Sequence, residues 1–366
     1  MKKCISLVWL ILPFGLFAQS KSSIENLLIV TTDGFRWQEA FGGMDSTIAE
    51  MPAFNQGKKK TIYARYGAAT PQERRKKLLP FIWSTMATKG QLWGNRQFNN
   101  KVDNANPYWF SYPGYSEIFC GYADTLVNSN DYKPNPNTNV LEFLNKQAGF
   151  KGKVAAFGAW NAFDRILNEK RAGFPVINAE DPCCGNEKDA VQGLIQQMKL
   201  DTYSPFGAEE PLDVFTHYAA LQYLKKNRPR VLYISYGETD EFAHEGHYLD
   251  YLDAAHRVDK WLNDLWNYIQ SNPKYKDKTA LFISVDHGRG DVQKEQWTSH
   301  GQDVQDSHEI WFGVMGPGIQ ADGEMTKETQ LYQKQFAQTF AALLGYKFTA
   351  EHPVAEGLQP MLVQKK

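Results

Sequence analysis

The chain has 366 residues, of which 42% are hydrophobic and 22% are charged. This length accommodates one large α/β domain with insertions, and the composition is that of a globular protein rather than a disordered or fibrous one. The formal net charge of −1 gives no broad basic field and no acidic tail, so we expect no nucleic-acid-binding surface.

The first residues form a predicted targeting segment. Lys2 and Lys3 precede an apolar run at 5–18, and a polar stretch follows it. This order predicts a cleaved signal peptide at residues 1–18, and therefore an exported protein that is periplasmic or secreted. The run is short and is interrupted by Pro13 and Gly15, so we expect no membrane span after signal removal.

Short apolar runs alternate with amphipathic stretches along the rest of the chain. Runs of this kind are typical of strands buried on both faces, and the alternation predicts an α/β fold with a mainly parallel sheet layered between helices. We predict a single domain at 24–366 with insertions near 42–106 and 160–212 that form a cap. The predicted strands are 26–32, 153–158, 230–236, 279–285 and 310–316, and the predicted helices lie at 77–90, 138–147, 213–225, 249–269 and 329–344.

Three cysteines remain after the predicted signal peptide: Cys120, Cys183 and Cys184. An odd number leaves at least one thiol unpaired in an oxidising compartment. The sequence leaves open whether the other two form a disulfide.

Acidic and histidine side chains follow three of the predicted strands. In a parallel sheet these positions meet at one edge, where ligands gather. Carboxylates and imidazoles are the ligands that zinc or manganese prefers, so the set predicts two divalent cations, with zinc expected and manganese the alternative. Taken alone, an Asp before Gly is more often a turn residue, and His308 competes with His300. The candidate ligands are Asp33, Asp240, His244, Asp286, His287 and His300.

Ser111 is the candidate nucleophile. The segment around it is typical of a loop that becomes a short helix, with Ser111 as the N-cap and Pro113 just inside. A hydroxyl at this end of a helix lies where a phosphate would also be favoured. A purely structural capping serine is the alternative.

Five segments together resemble the alkaline phosphatase superfamily, nearest to its nucleotide pyrophosphatase/phosphodiesterase branch. They are TTDGFRW at 31–37, SYPGYSEIFCG at 111–121, ETDEFAHEGH at 238–247, SVDHGRGD at 284–291, and SHG with WFGVMGPGI at 299–319. The resemblance implies metal-dependent hydrolysis of a small phosphorylated substrate. Ser111 would attack phosphorus to give a covalent phosphoseryl intermediate, which water then hydrolyses. It also implies how the ligands divide between the metals: Asp240, His244 and His300 hold one, and Asp33, Asp286 and His287 hold the other.

The chain departs from the phosphodiesterase branch next to the nucleophile. That branch has Thr-Phe-Pro-Asn-His where this chain has Ser-Tyr-Pro-Gly-Tyr. The resemblance also implies a phosphate-binding asparagine, for which Asn128 is preferred over Asn130. Trp160 is a candidate platform for the leaving group, with core packing as the alternative.

Other reactions are known for the same fold. A sulfatase would need a Cys or Ser in a C/S-x-P-x-R context, and this chain lacks the arginine. A phosphonate hydrolase and a non-catalytic metal-binding relative are further alternatives. A phosphoglycerate mutase would need a large additional domain. The sequence does not decide between monoesters and diesters, and it does not give the oligomeric state.

Overall fold

The structure is a computed structural model that describes residues 23–182, 189–207 and 209–363. The predicted signal peptide at 1–18 lies outside the described residues, as do Cys183 and Cys184. Cys120 is a buried free thiol. Whether Cys183 and Cys184 form a disulfide stays open.

An eight-stranded sheet runs through the molecule in the order β10-β2-β9-β7-β1-β6-β4-β5. Its central strand, β1, is parallel to both of its neighbours, β6 and β7, and every residue of these three strands is buried. The predicted mainly parallel α/β fold is therefore confirmed. The strands are β1 (Asn26–Thr32), β2 (Gly90–Trp93), β3 (Asn100–Asp103), β4 (Val154–Gly158), β5 (Val176–Ile177), β6 (Val231–Tyr236), β7 (Thr279–Ser284), β8 (Glu309–Ile310), β9 (Phe312–Met315), β10 (Gly323–Glu324) and β11 (Thr329–Tyr332).

The predicted strand at 310–316 was wrong in one respect, because it is two strands in two sheets. β9 lies antiparallel between β7 and β2 in the large sheet, whereas β8 pairs with β3 in a small sheet ordered β11-β3-β8. The division falls at Trp311, whose indole Nε1 donates to the Phe35 carbonyl oxygen across the core. Hydrophobicity runs continuously through this break, so periodicity alone could not show it.

Helices cover both faces of the sheet. The longest described helix, α14 (Tyr248–Ser271), confirms the prediction for 249–269, and its apolar face packs Leu252, Leu262 and Leu265 into the core. The helix predicted at 329–344 was wrong in its first turn, which forms β11 by pairing with β3. The helices are α1 (Trp37–Gly42), α2 (Ser46–Glu50), α3 (Pro52–Asn55), α4 (Lys59–Tyr66), α5 (Pro71–Leu78), α6 (Ala87–Lys89), α7 (Ser111–Cys120), α8 (Val140–Asn145), α9 (Phe163–Ile166), α10 (Glu169–Ala172), α11 (Ala190–Asp201), α12 (Asp213–Asn227), α13 (Glu238–His244), α14 (Tyr248–Ser271), α15 (Phe336–Leu343) and α16 (Gln359–Leu362), with a π-turn at Ile82–Met86 and 3₁₀ turns at Arg96–Phe98, Lys294–Thr298 and Gln333–Gln335.

The two stretches predicted as insertions differ in where they lie. Residues 42–106 contain α2 to α6 and also β2 and β3, so part of this stretch belongs to the sheets. Within 160–212, the backbone N–H of Asn161 donates to the Glu209 carbonyl oxygen, which places the end of this stretch beside the carboxyl end of β4. Their role as a cap stays a prediction. No helix among the described residues is long and apolar enough to cross a membrane.

Candidate metal centre and active site

The parallel strands β1, β6 and β7 end at one edge of the sheet. In the register of these strands Thr32 is level with Tyr236, and Thr31 is level with Ser284. Asp33 follows β1 directly, and Asp286 comes two residues after β7. Asp240 lies in the first turn of α13, just beyond β6. The fold therefore brings the three aspartates together.

One donor group surrounds His287. Its Nε2 atom lies 3.3 Å from Asp33 Oδ1, 3.4 Å from Asp286 Oδ2 and 3.9 Å from Asp240 Oδ1. Asp33, Asp240 and His287 offer ligand atoms close enough together to hold one ion. The Asp286 carboxylate faces the same space.

A second donor group lies beside the first. His244 Nε2 is 2.9 Å from both Asp240 Oδ2 and His300 Nε2, and these three residues also offer atoms that one ion could share. The rings of His287 and His300 stack at 3.9 Å between centroids. Asp240 therefore lies between the two groups.

These donors fit divalent cations. Two ligands that bind a tetrahedral zinc ion at about 2.1 Å lie about 3.4 Å apart, which is close to the separations around His287. Asp33 Oδ1 and Asp286 Oδ2 are buried and form no hydrogen bond within the described residues. Buried carboxylate oxygens without a donor are costly, and a cation would satisfy them.

The nucleophile candidate lies at the same place. The Ser111 Oγ atom is 3.3 Å from His287 Nε2. Helix α7 begins at Ser111, and Phe110 is its N-cap without a side-chain hydrogen bond, so the expected capping role of Ser111 was wrong. The hydroxyl is therefore not used to cap the helix.

A sequence profile of known proteins matches residues 41–343, most of the chain, and its description is type I phosphodiesterase / nucleotide pyrophosphatase. This chain belongs to that family. The match covers Ser111 and five of the six candidate ligands, whereas Asp33 lies before it. No curated protein matches the sequence.

Solved structures show the same fold at low sequence identity. The wild-type alkaline phosphatase PafA has 11% identity and a TM-score of 0.61, and the match covers 94% of this chain and 99% of PafA. The lipoteichoic acid synthase LtaP from Listeria monocytogenes has 13% identity and a TM-score of 0.58, covering 94% of this chain and 77% of LtaP. The phosphonate monoester hydrolase of Agrobacterium radiobacter has 13% identity and a TM-score of 0.55, covering 92% and 77%. At this identity the likeness establishes the alkaline-phosphatase-like fold.

Hydrogen bonds orient the carboxylates of this family member. The Tyr115 hydroxyl, one helical turn after Ser111, donates to Asp33 Oδ2 over 2.9 Å. The Gly34 backbone N–H donates to Asp286 Oδ1 over 3.1 Å. These contacts leave the other oxygen of each carboxylate turned toward His287.

Burial and charge shift the protonation of the centre. Burial raises the pKa of Asp286 well above its ordinary value, and the Asp33 charge raises it further. Burial also raises the pKa of Asp240, but the Arg289 guanidinium and His244 outweigh it and bring that pKa well below its ordinary value. For His287, burial lowers the pKa, and the stronger combined effect of Asp286 and Asp33 raises it to about 9. The centre is therefore a concentration of negative charge, which favours cations.

The predicted substrate-binding residues are less closely connected to this centre. Asn128 is exposed, whereas Asn130 Oδ1 accepts a hydrogen bond from the Tyr112 backbone N–H at the start of α7. Trp160 is half-buried and packs against the core. His308 contacts the Trp109 ring, and its Nδ1 donates to the Gln305 carbonyl oxygen, apart from both donor groups. The roles of Asn128 and Trp160 stay predictions.

Sequence reasoning missed several polar groups at the centre. Arg289 forms an ion pair with Asp240, and Tyr115 binds Asp33, although both residues lie inside the quoted motifs. Glu241 is the neighbour of Asp240 in the chain. Burial raises the pKa of Glu210 well above its ordinary value, and the charges of Glu241 and Asp33 raise it further. No sequence signal marked Glu210, which the fold brings from a distant loop.

Proposed function

We propose that this chain is an exported, metal-dependent hydrolase of phosphate esters that uses Ser111 as a covalent nucleophile at a two-metal site. The observation that carries the proposal is the position of the Ser111 hydroxyl, 3.3 Å from His287 Nε2, the atom that also faces Asp33 and Asp286. Membership of the phosphodiesterase family supports the reaction class. The sequence of residues 1–18 supports export.

The residues divide into two candidate metal positions. Asp33, Asp286 and His287 would hold one ion, and Asp240, His244 and His300 the other. Bound divalent ions, zinc or manganese, would stabilise negative charge on the phosphoryl oxygens and on the Ser111 oxygen, which reduces the need for a general base. The amino-terminal end of α7 contributes a partial positive charge on the same side.

The chemistry then proceeds in two displacements. The Ser111 Oγ–P bond forms as the P–O bond to the leaving group breaks, and the hydroxyl proton passes to the leaving oxygen or to solvent. A water oxygen next forms a bond to phosphorus, the Ser111 Oγ–P bond breaks, and the hydroxyl is restored. Tyr115 and the Gly34 backbone hold the carboxylates in place throughout both steps.

A substrate panel tests the proposal. We expect the purified protein, supplied with zinc or manganese, to hydrolyse aryl phosphate monoesters or diesters in preference to aryl phosphonates and aryl sulfates. Ser111→Ala should lower kcat by at least about a thousandfold, because it removes the attacking oxygen, while the metal content stays unchanged. Metal analysis and initial rates on all four substrates give the measurement.

Ser116→Ala is the matched control, because Ser116 lies on the same helix, is buried, and accepts a hydrogen bond from Asn135 instead of facing the donors. It should retain activity. Equal turnover by wild type and Ser111→Ala would remove Ser111 from the mechanism. A preference for sulfates would overturn the substrate class, and a protein that retains no metal would argue for a non-catalytic relative.

A further inference from the structure

The two candidate metal positions differ in how their histidine rings are held. His287 Nδ1 lies 2.9 Å from the Gly288 carbonyl oxygen, which can only accept a hydrogen bond. Nδ1 therefore carries a proton, and Nε2 faces Asp33 and Asp286. A histidine that donates its distal N–H to an acceptor is oriented to bind a metal.

The ring of His244 has the opposite environment. Its Nδ1 lies 3.3 Å from Arg289 Nη2, and a guanidinium has only donors. This contact is a hydrogen bond only when Nδ1 is unprotonated, which places the neutral ring's proton on Nε2. That atom faces Asp240 and His300 and is the one that would bind the ion.

His300 does not compensate for this arrangement. Its Nδ1 is buried and has no hydrogen-bond partner among the described residues. Neither ring of the Asp240–His244–His300 position therefore donates to an acceptor on its distal side. Such supporting contacts are worth about 10- to 100-fold in metal affinity.

Hydrogen bonds and an ion pair hold Arg289 in place beside the Asp240–His244–His300 position. Its Nε donates to the Trp297 carbonyl oxygen over 2.7 Å, and its Nη2 donates to the Thr298 carbonyl oxygen over 2.6 Å. Its Nη1 pairs with Asp240, and the residue is 1% exposed. Gly34 makes room for it, because a Cβ there would lie 2.9 Å from Nη1. A fixed positive charge thus contacts two of the three ligands.

We propose that Arg289 makes the two metal positions unequal. The Asp33–Asp286–His287 position binds its ion tightly. The Asp240–His244–His300 position binds weakly, because an ion at His244 Nε2 would require the ring proton to move to Nδ1, where it would break the hydrogen bond from Arg289. The inference rests on the proposed two-metal function and adds a regulatory feature to it: the second ion exchanges with the surroundings, so its occupancy follows the free cation concentration.

Metal titration of the apoprotein tests this without an activity assay. We expect Co²⁺, followed by its visible absorption and by calorimetry, to bind the wild type in two events whose dissociation constants differ at least about tenfold. Arg289→Met should tighten the weaker event by about tenfold or more and leave the tighter one unchanged. His244→Ala should abolish the weaker event alone. Arg65→Met, an exposed arginine paired with Asp253, is the control and should change neither event.

The outcomes separate this inference from the proposed function. Two events of equal affinity in the wild type overturn the inference, as does an Arg289→Met protein in which the gap persists. No bound Co²⁺ at all overturns the proposed function itself. If Arg289→Met fails to fold, Arg289→Lys serves instead. A lysine cannot hold both carbonyls and reach His244, so an unchanged weaker event in that variant also counts against the inference.

Discussion

Single hydrogen bonds decide which oxygen of each carboxylate faces the candidate metals. Tyr115 shows this at the residue scale, because its hydroxyl donates to Asp33 Oδ2 and leaves Asp33 Oδ1 toward His287. The Tyr115 hydroxyl also lies 3.1 Å from Ser235 Oγ in β6, and Asp33 directly follows β1. The two neighbouring strands therefore fix both partners of the Tyr115–Asp33 hydrogen bond. In the proposed mechanism Tyr115 is a positioning residue, because its hydroxyl binds the candidate ligand Asp33 and Ser235.

We therefore expect Tyr115→Phe to weaken metal binding. Loss of a hydrogen bond that orients a ligand should lower affinity at the Asp33 position by about 10- to 100-fold, with little change in the fold. Competition with a chelator measures this. Tyr112→Phe is the control, because that hydroxyl donates to the Lys133 carbonyl oxygen and not to a candidate ligand. Equal affinities in the two variants would contradict the role of Tyr115.

Much of this residue-scale chemistry was predictable from the sequence. Asp33 and the Asp286-His287 pair directly follow apolar runs, and the end of a parallel strand determines the edge that its next residue reaches. Arg289 and Tyr115 were not predictable, although they lie in the same motifs. Their roles depend on where long side chains point, which packing against other parts of the chain decides.

At the scale of the element, helix α7 is positioned by close contact with the end of β7. Gly114 lies against the backbone of Asp286, and a Cβ at this position would overlap the Asp286 carbonyl oxygen. The absence of a side chain lets the helix approach, and this approach brings Ser111 to His287. The α7 segment therefore needs glycine at this position for packing and not for an unusual backbone angle.

Gly114→Ala should displace the nucleophile. We expect a loss of about 1–3 kcal/mol in the free energy of unfolding, as for other overpacked sites. We also expect a fall in kcat of about a hundredfold, because a shift of about 1 Å misaligns attack. Denaturant unfolding and initial rates provide the measurements.

Gly193→Ala is the matched glycine substitution in helix α11. A Cβ there meets no atom within 4 Å, so it should stabilise the protein by up to about 1 kcal/mol and leave the rates unchanged. If Gly114→Ala behaved in the same way, the close approach of α7 to β7 would not be needed for activity.

Sequence patterns failed for the strands whose extent depends on the neighbouring strand with which they pair. β11 was predicted as the first turn of a helix, and it is a strand because β3 offers a paired edge. β8 and β9 were predicted as one strand, and they separate because they join different sheets. Local periodicity carries no information about which edge is available.

At the scale of the whole molecule, the core contains a titratable group away from the candidate site. His217 is fully buried, stacks on Trp261 with ring centroids 4.7 Å apart, and hydrogen bonds through Nδ1 to the Tyr236 hydroxyl. Burial lowers the pKa of His217 to about 3. The folded protein therefore keeps this ring neutral where the unfolded chain would protonate it.

This difference predicts an acid-dependent loss of stability. Above the unfolded pKa of about 6.5, His217 is neutral in both the folded and the unfolded chain, and the free energy of unfolding keeps its full value. As the pH falls from there toward about 3, only the unfolded chain takes up the proton, so the free energy of unfolding decreases. At pH 5 the loss is about 2 kcal/mol. His217→Phe keeps a ring against Trp261 and should remove this part of the pH dependence, although loss of the hydrogen bond to the Tyr236 hydroxyl lowers stability at pH 7.5.

Urea unfolding at pH 7.5 and pH 5 measures how the free energy of unfolding changes with pH in the wild type and in His217→Phe. His352→Gln, which replaces a half-exposed histidine, should keep the wild-type slope. A His217→Phe protein with the same pH dependence as the wild type would show that the buried ring does not limit acid stability.

The sequence by itself determined the α/β class, the central parallel strands and the donors that follow them. Those features depend on local hydrophobicity and on the rule that parallel strands end at a common edge. Only the tertiary structure decided that Asp240 lies between two donor groups, that Asn130 rather than Asn128 contacts the start of α7, and that Arg289 reaches His244. The physical reason is that these contacts join residues far apart in the chain, so their geometry follows from close packing of whole elements and not from any local pattern.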